Sequence, residues 1–261
     1  MADNKNNSKD NIKNKKVDFG FQDIDITSKP SLVQNIFSSV SQKYDLMNDL
    51  MSGGLHRLWK NTLINQIYLR NNVKLLDMAA GTGDIGVRCI KLAEKKNINI
   101  QVFSIDLTYK MIELGKNKSI DKGLFNNLYW INGDGEKLPF FDKSFDVYTN
   151  VFGIRNVSDM DTALNEAYRV LKPGSQFFFL EFNNNIPIFN ELYNWYSFNI
   201  IPKIGKIILN DEKSYQYLVE SIRRFPDRDI FINKCQTAGF KKVTYKVLGG
   251  EIATIYSGWR I

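Results

Sequence analysis

A glycine-rich turn flanked by carboxylates is the feature of this sequence most suited to chemistry. The segment Leu75–Asp84 (LLDMAAGTGD) has the pattern of a strand that ends in a tight turn and opens a helix. Glycines let such a turn adopt positive φ and approach a ligand closely, and the first N–H groups of a helix lack partners within it. Because ligands of open α/β sheets bind beyond the carboxyl ends of the strands, we predict that Gly81, Thr82 and Gly83 form a binding site.

Two classes of ligand fit a turn of this kind. Gly81, Gly83 and Gly86 match the G-x-G-x-x-G pattern of dinucleotide-binding proteins, which place a pyrophosphate at the helix N-terminus. Asp84 occupies that position here and would repel a phosphate. Asp77 and Asp84 would instead attract the amino group and sulfonium of S-adenosylmethionine (SAM), so the sequence favours SAM over NAD.

Another carboxylate follows the next predicted strand. Asp106 comes directly after the apolar segment Ile100–Ile105, where a carboxylate can accept hydrogen bonds from both hydroxyls of a ribose. SAM and NAD both contain a ribose, so Asp106 indicates a nucleoside ligand without choosing between them.

Strands alternate with helices from residue 73 to residue 182, which predicts an α/β fold with a mostly parallel sheet and right-handed crossovers. The predicted strands are Val73–Met78, Ile100–Ile105, Asn127–Ile131, Phe145–Val151, Gln176–Phe182, Lys241–Leu248 and Ile252–Trp259, and the predicted helices are Asp84–Lys96, Thr108–Lys118, Asp159–Leu171 and Asp227–Ala238. The last two strands meet at Gly249-Gly250, a hairpin signal. A seven-stranded sheet that ends in an antiparallel hairpin is typical of Rossmann-like class I SAM methyltransferases.

Helical segments precede and interrupt this sheet. Residues 1–18 are rich in lysine and asparagine and are predicted to be a disordered tail, which leaves 19–261 as one domain. Apolar residues recur every four positions from Leu32 to Tyr44, and a second helix is expected from His56 to Leu69, so 19–70 should form a helical lid. The aromatic-rich residues 183–226 are predicted to be a helical insertion.

Composition excludes several classes of function. The 261 residues, 43% of them apolar, suffice for one sizeable core. Cys89, Cys235 and the single His56 offer no metal-ligand spacing, so no metal site and no disulfide framework are expected. The net charge of +7 is not clustered into a basic stripe, so no nucleic-acid partner is expected. Without a bilayer-spanning apolar run or a targeting segment, the expected location is the cytoplasm.

Several segments resemble known families. Asn132–Phe140 resembles the G-D-A-x-x-L-P-F segment of class I SAM methyltransferases, which implies that Asp134 and the backbone of Gly135 bind the adenine. Lys43–Ser52, His56–Lys60 and several later segments resemble the ubiquinone/menaquinone-biosynthesis C-methyltransferase family. The later segments are Phe152–Val157, Tyr168–Gly174 and short motifs between Tyr196 and Arg223. This resemblance covers nearly all of the chain after residue 18.

The sequence departs from that family near the expected cofactor. Ala79 and Ala80 stand where the family often has two glycines. Val151 stands where the family has a serine thought to help hold the cofactor, so that hydroxyl contact is absent here.

The resemblance implies methylation of a ring carbon in a polyprenylated quinol. The substrate would be a demethylmenaquinol, a 2-polyprenyl-6-methoxybenzoquinol or both. The ring carbon would attack the methyl group of SAM, S-adenosylhomocysteine would leave, and the carbon would then lose its proton. An aromatic carbon is a poor nucleophile unless its phenol is partly ionised, and a phenol of pKa near 10 needs a base or a nearby cation for that.

Five residues are the candidates for catalysis. Arg155 would stabilise phenolate charge or orient a water molecule as base, and Asn156 would hold a ring oxygen. His56 and Asp45, with Tyr44, are alternative bases or ring-positioning groups. The structural alternative is a salt bridge for Arg155, packing or capping for His56, helix capping for Asp45, and core packing or pocket lining for Tyr44.

The implied substrate also implies partners. A polyprenyl tail lies in a membrane, so peripheral contact with the inner face of a bacterial membrane is expected, and a homodimer or a quinone-biosynthesis complex remains open. Three other functions compete with this one. They are a SAM methyltransferase acting on another small molecule such as a sterol or a phenol oxygen, a non-catalytic SAM-binding scaffold subunit, and an NAD oxidoreductase.

Overall fold

A twisted seven-stranded sheet forms the centre of the protein, here described from a computed structural model. The structure describes residues 15–41, 46, 48–49, 52–124, 126–184 and 212–261. The strands are β1 (Lys16–Phe19), β2 (Gln22–Asp25), β3 (Val73–Met78), β4 (Ile100–Asp106), β5 (Leu128–Asn132), β6 (Phe145–Val151), β7 (Leu171–Phe182), β8 (Lys241–Leu248) and β9 (Ala253–Arg260). The helices are α1 (Lys29–Val40), α2 (His56–Ile64), α3 (Asp84–Lys95), α4 (Tyr109–Asp121), α5 (Met160–Val170), α6 (Glu212–Arg224) and α7 (Arg228–Thr237).

The strand order of the main sheet is β5-β4-β3-β6-β7-β9-β8. Neighbours from β5 to β7 pair in parallel, whereas β9 pairs antiparallel with both β7 and β8. The order reverses at β3, where β4 lies on one side and β6 on the other. Ligands of open sheets bind at such a point, so the topology places a site at the carboxyl end of β3. The predicted seven-stranded sheet with its antiparallel end is confirmed.

Two apolar layers cover the faces of the sheet. Successive residues of a strand face opposite sides, and Leu75 and Leu76 of β3 accordingly belong to different layers. The α2, α3 and α6 helices contribute to the layer with Leu75, and α5 and α7 to the layer with Leu76. Cys89 and Cys235 are free and buried, one in each layer, and burial raises the pKa of both thiols.

A short hairpin precedes the first helix and corrects the predicted tail. The strands β1 and β2 pair over residues 16–25 around Gly20, which has a φ of +61°, so the tail predicted for 1–18 extends too far. Phe19 stacks on Tyr217 of α6 at 4.5 Å, and the Phe21 N–H donates to Glu220 at 3.0 Å. These partners are about 200 residues away in sequence, so the local pattern of polar and apolar residues gave no sign of the hairpin.

The flanking helical regions are partly described. The lid region contains α1 and α2, and α2 ends at Ile64 rather than at the predicted Leu69 because the chain turns there and buries Ile67 and Leu69 before β3. Within the predicted insertion, residues 185–211 lie outside the described residues, and α6 follows them. No helix in the described ranges is both long and apolar enough to cross a membrane.

Candidate active site

The glycine turn after β3 is held by a carboxylate from the neighbouring strand. Asp106 ends β4, where its Oδ2 accepts the Gly81 N–H and its Oδ1 accepts the Thr108 N–H, each at 2.8 Å. Burial raises the pKa of Asp106, and these two N–H groups oppose that shift. The turn, the end of β4 and the start of α4 are therefore joined through one side chain.

Positive φ angles shape the turn. Ala79, Gly81 and Gly83 have φ values of 53°, 56° and 77°. At Gly83 a Cβ would lie 2.2 Å from the Trp130 ring, so this glycine is required for packing as well as for its conformation. Ala79 adopts a left-handed conformation that costs an L-residue about 1–2 kcal/mol.

A main cavity opens beyond the carboxyl ends of β3, β4 and β6. Met78, Ile105 and Met111 form part of its apolar wall, and Pro30, Val33 and Phe37 of α1 lie over it. The helix α1 is joined to the β4 end because Gln34 donates to the Leu107 carbonyl at 2.8 Å.

The charges in the main cavity are all negative. Asp106, Asp134 and Glu136 line it, and none of the described residues that line it is a lysine, arginine or histidine. A pyrophosphate needs cations or an open helix N-terminus, whereas a nucleoside that carries a sulfonium and an amino group suits carboxylates. The residues present therefore fit SAM and do not fit NAD.

The loop after β5 packs against the same cavity. Asp134 accepts the Glu136 N–H at 2.9 Å, which stabilises the loop. A Cβ on Gly135 would lie 2.7 Å from the Met78 methyl carbon, so only glycine permits this approach. Gly81, Asp106, Asp134 and Gly135 thus come together as expected, and their binding of the cofactor stays a prediction.

The argument from Asp84 requires correction. Asp84 lies outside the main cavity and pairs with Lys60 at 3.0 Å and with Arg88 at 2.7 Å. Burial opposes its ionisation, but the two cations outweigh this and hold the pKa of Asp84 at about 2. Its charge is neutralised by these partners, so the acidic lining of the main cavity, and not Asp84, disfavours phosphates.

A smaller cavity, called the inner cavity, lies on the α2 side of the glycine turn and shares Ala79 with the main cavity. Thr82 lines it and does not line the main cavity. Asp77 and Val151 also line it. The residue that departs from the family serine therefore faces the inner cavity.

Arg155 has a buried partner that the sequence did not reveal. It lies in the short turn Ile154–Asn156 after β6 and donates to Glu181 of β7 at 2.8 Å and to the Phe152 carbonyl at 2.7 Å. Both charged side chains are almost completely buried, and Arg155 is not among the residues that line the main cavity. The structure shows the salt bridge that was the alternative for Arg155, and its role in catalysis stays a prediction.

Asn156 lines the main cavity next to Gly153. Its Oδ1 accepts a hydrogen bond from the Tyr217 hydroxyl at 3.1 Å, and burial raises the pKa of Tyr217, so that hydroxyl stays protonated. Sequence reasoning missed Tyr217 and Gly153. A glycine two residues after a strand end was the available signal, because a Cβ there would lie 2.4 Å from the Ala79 Cβ.

His56 lies away from the main cavity. It is buried at the start of α2, with its Nε2 3.5 Å from the Asp49 carboxylate and its Nδ1 without a hydrogen-bond partner. Burial, assisted by Lys60, lowers the pKa of His56 to about 4, which makes it a weak base toward a phenol. Its catalytic role stays a prediction, and Asp45 and Tyr44 lie outside the described residues.

The fold and the site are typical of class I SAM-dependent methyltransferases. Solved structures share this fold. A SAM-dependent methyltransferase from Aquifex aeolicus matches with a TM-score of 0.59 and 16% identity, covering 89% of this chain and 98% of its own. The [4+2]-cyclase SpnF matches with a TM-score of 0.63 and 15% identity, covering 87% and 94%.

Sequence comparison narrows the class to a family. A family model described as the ubiE/COQ5 methyltransferase family matches residues 25–260, so the chain belongs to that family. A ubiquinone/menaquinone biosynthesis C-methyltransferase of Rickettsia typhi is 50% identical, covering 93% of this chain and 98% of the relative. A protein of the same name from Dinoroseobacter shibae is 47% identical, covering 93% and 96%.

We predict that Ala79→Gly stabilises the protein. Glycine removes the left-handed strain at this position and should raise the free energy of unfolding by about 0.5–1 kcal/mol in urea denaturation. Ala80 does not share the positive φ, so the control Ala80→Gly should lower stability by a similar amount. Equal effects of the two substitutions would contradict the proposed strain.

The buried ion pair predicts a non-additive stability effect. Arg155→Met leaves Glu181 buried without its cation and should cost about 3–5 kcal/mol of unfolding free energy. The double variant Arg155→Met/Glu181→Met should recover most of this loss, because two packed apolar side chains replace the pair. Denaturant titration of the wild type and of the three variants measures the coupling, and full stability of Arg155→Met would show that the pair is unimportant.

The lowered pKa of His56 predicts a pH dependence. The unfolded chain binds a proton near pH 6.5 and the folded protein only near pH 4, so acidification over this window favours unfolding by about 3 kcal/mol. His56→Gln removes this contribution. The stability of the wild type relative to His56→Gln should therefore fall by about 3 kcal/mol from pH 7 to pH 4, and a constant difference would show that His56 is solvated.

Proposed function

We propose that this protein methylates a ring carbon of a polyprenylated quinol in ubiquinone or menaquinone biosynthesis. The observation that carries the proposal is the family match over residues 25–260, supported by relatives of that name that align along almost their whole length. The fold alone would not suffice, because a protein named as a cyclase shares it.

The main cavity has one side that suits the methyl donor and another that suits the quinol acceptor. Asp106 and Asp134 lie on the β4 and β5 side, where we place the nucleoside of the cofactor. Phe37, Phe152 and Val157 supply apolar surface on the α1 and β6 side, which suits an aromatic ring. When bound, SAM supplies an electrophilic methyl group on a positively charged sulfur, and we expect S-adenosylhomocysteine as the product.

The residues of the chain contribute positioning and exclusion of water. The carboxylates of the main cavity stabilise a cationic donor, and α1 covers it with apolar side chains. Asn156 is oriented by the Tyr217 hydroxyl and can bind a ring oxygen of the acceptor. Arg155 anchors the turn that carries Asn156 to Glu181, so in this proposal Arg155 acts through position rather than by touching the ring.

The polyprenyl tail of the proposed acceptor also implies contact with a membrane. Leu55 and Leu58 at the start of α2 expose 36% and 62% of their surface, next to Arg57. Exposed leucines beside a basic residue suit the interface of a bilayer. We therefore propose peripheral contact on the cytoplasmic side, where a polyprenyl tail would enter the protein.

Transfer of a labelled methyl group tests the function. The purified protein is incubated with methyl-labelled SAM and either demethylmenaquinol or 2-polyprenyl-6-methoxybenzoquinol in detergent micelles, and the product is analysed by mass spectrometry and NMR. We expect one methyl group on a ring carbon of the quinol, and none on the oxidised quinone because it lacks a phenol that can ionise.

The matched control is Asp106→Asn, which removes a carboxylate from the main cavity. It should weaken binding of S-adenosylhomocysteine and transfer alike. Methylation of an oxygen would instead favour another small-molecule methyltransferase, and cofactor binding without any turnover on these quinols would favour a scaffold subunit.

A further inference from the structure

The inner cavity is lined by charged residues to which the proposed sites for the nucleoside and the acceptor give no role. It lies between the glycine turn and α2. Lys60, Asp77, Thr82 and Asp84 provide its polar groups. Unlike the main cavity, it has both a cation and carboxylates in its wall.

Lys60 is an unusual lysine because its charged end is buried. Only 6% of its side chain is exposed, whereas lysine normally extends its ammonium group into water. Its Nζ donates to Asp84 at 3.0 Å. An ammonium group has three N–H donors, and the described residues account for this one, so two donors remain for an acceptor in the cavity.

Asp77 lies in the same wall, and burial raises the pKa of its carboxyl group to about 7. The Thr149 hydroxyl donates to its Oδ1 at 2.8 Å, while its Oδ2 is buried and has no hydrogen-bond partner. A buried polar atom without a partner costs free energy, so its presence at a cavity wall indicates a missing donor. The inner cavity therefore offers free donors on Lys60 and a free acceptor on Asp77.

These two features complement an α-amino acid group, which combines a carboxylate with an ammonium. Because the inner and main cavities share Ala79, a ligand with its nucleoside in the main cavity can extend its other end past this residue. A buried carboxylate requires a paired cation, and Lys60 is the cation that lines the inner cavity.

We propose that Lys60 of α2 binds the carboxylate of the amino-acid end of the cofactor. Lys60 then holds that carboxylate and Asp84 together, which links the lid helix α2 to the helix that follows the glycine turn. The site thereby distinguishes a complete cofactor from nucleosides that lack the amino-acid end. This inference rests on the proposed use of SAM.

Calorimetric titration with three ligands tests the role of Lys60. S-adenosylhomocysteine has the complete amino-acid end, decarboxylated SAM retains the amino group alone, and 5′-methylthioadenosine lacks both groups. Lys60→Met keeps most of the apolar stem and removes the charge. Loss of a charge-assisted hydrogen bond should weaken S-adenosylhomocysteine by about 10- to 100-fold, while the dissociation constants of the other two ligands stay within about twofold.

Arg88→Met is the matched control. Arg88 is the other cation that pairs with Asp84, but it does not line the inner cavity. If Lys60 acted only by neutralising Asp84, both substitutions would weaken S-adenosylhomocysteine to the same degree. We expect that Arg88→Met leaves the preference for S-adenosylhomocysteine over 5′-methylthioadenosine unchanged.

The outcomes separate this inference from the proposed function. If Lys60→Met weakens all three ligands equally, Lys60 is structural and the inference is overturned. If the wild-type protein binds none of the three ligands, the use of SAM itself is overturned. Should Lys60→Met fail to fold in thermal unfolding, Lys60→Gln retains a donor for Asp84 without the charge, and the same selective loss is expected and decisive.

Discussion

The hydrogen bond between the Gly81 N–H and the Asp106 carboxylate is the contact on which the geometry of the site depends. It is possible because β3 and β4 are parallel neighbours with Met78 paired to Ile105, so their carboxyl ends meet at one edge of the sheet. The same carboxylate accepts the Thr108 N–H at the start of α4. One side chain thereby sets the position of the turn that separates the main cavity from the inner cavity.

Other charged residues near the site form ion pairs. Asp84 is neutralised by Lys60 and Arg88, and Arg155 is neutralised by Glu181 in the interior. Burying an unpaired charge is costly, so these pairs neutralise Asp84 and Arg155, while Lys60 keeps two N–H donors for a ligand. What remains is an acidic main cavity and an inner cavity with both signs of charge, and this distribution selects a cationic nucleoside and disfavours a dinucleotide.

The side of the main cavity that contains Asn156 depends on contacts from distant parts of the chain. The hairpin of β1 and β2 holds α6 through Phe19 and Glu220. The helix α6 in turn presents the Tyr217 hydroxyl to Asn156. The N-terminal segment therefore contributes to the orientation of a cavity residue without lining the cavity itself.

The sequence by itself determined the elements whose pattern is local. Val73–Met78, Phe145–Val151 and Lys241–Leu248 have the predicted bounds. Local turn signals account for two of these strands, because a glycine-rich turn follows Val73–Met78 and a Gly-Gly pair follows Lys241–Leu248. The positions of Gly81 and Asp106 followed from the same reasoning, since both lie at strand ends. The reaction was predicted from the family resemblance, because the spacing of apolar residues does not indicate a reaction.

Tertiary structure alone decided which charges meet. The pairing of Arg155 with Glu181, the pairing of Asp84 with Lys60, the separation of His56 and Thr82 from the main cavity and the hairpin before α1 have no local signature. A salt bridge or a ring stack needs only that two side chains meet in space. The packing of whole helices and strands decides which side chains come into contact. The residues next to each partner in the sequence therefore do not indicate the pairing.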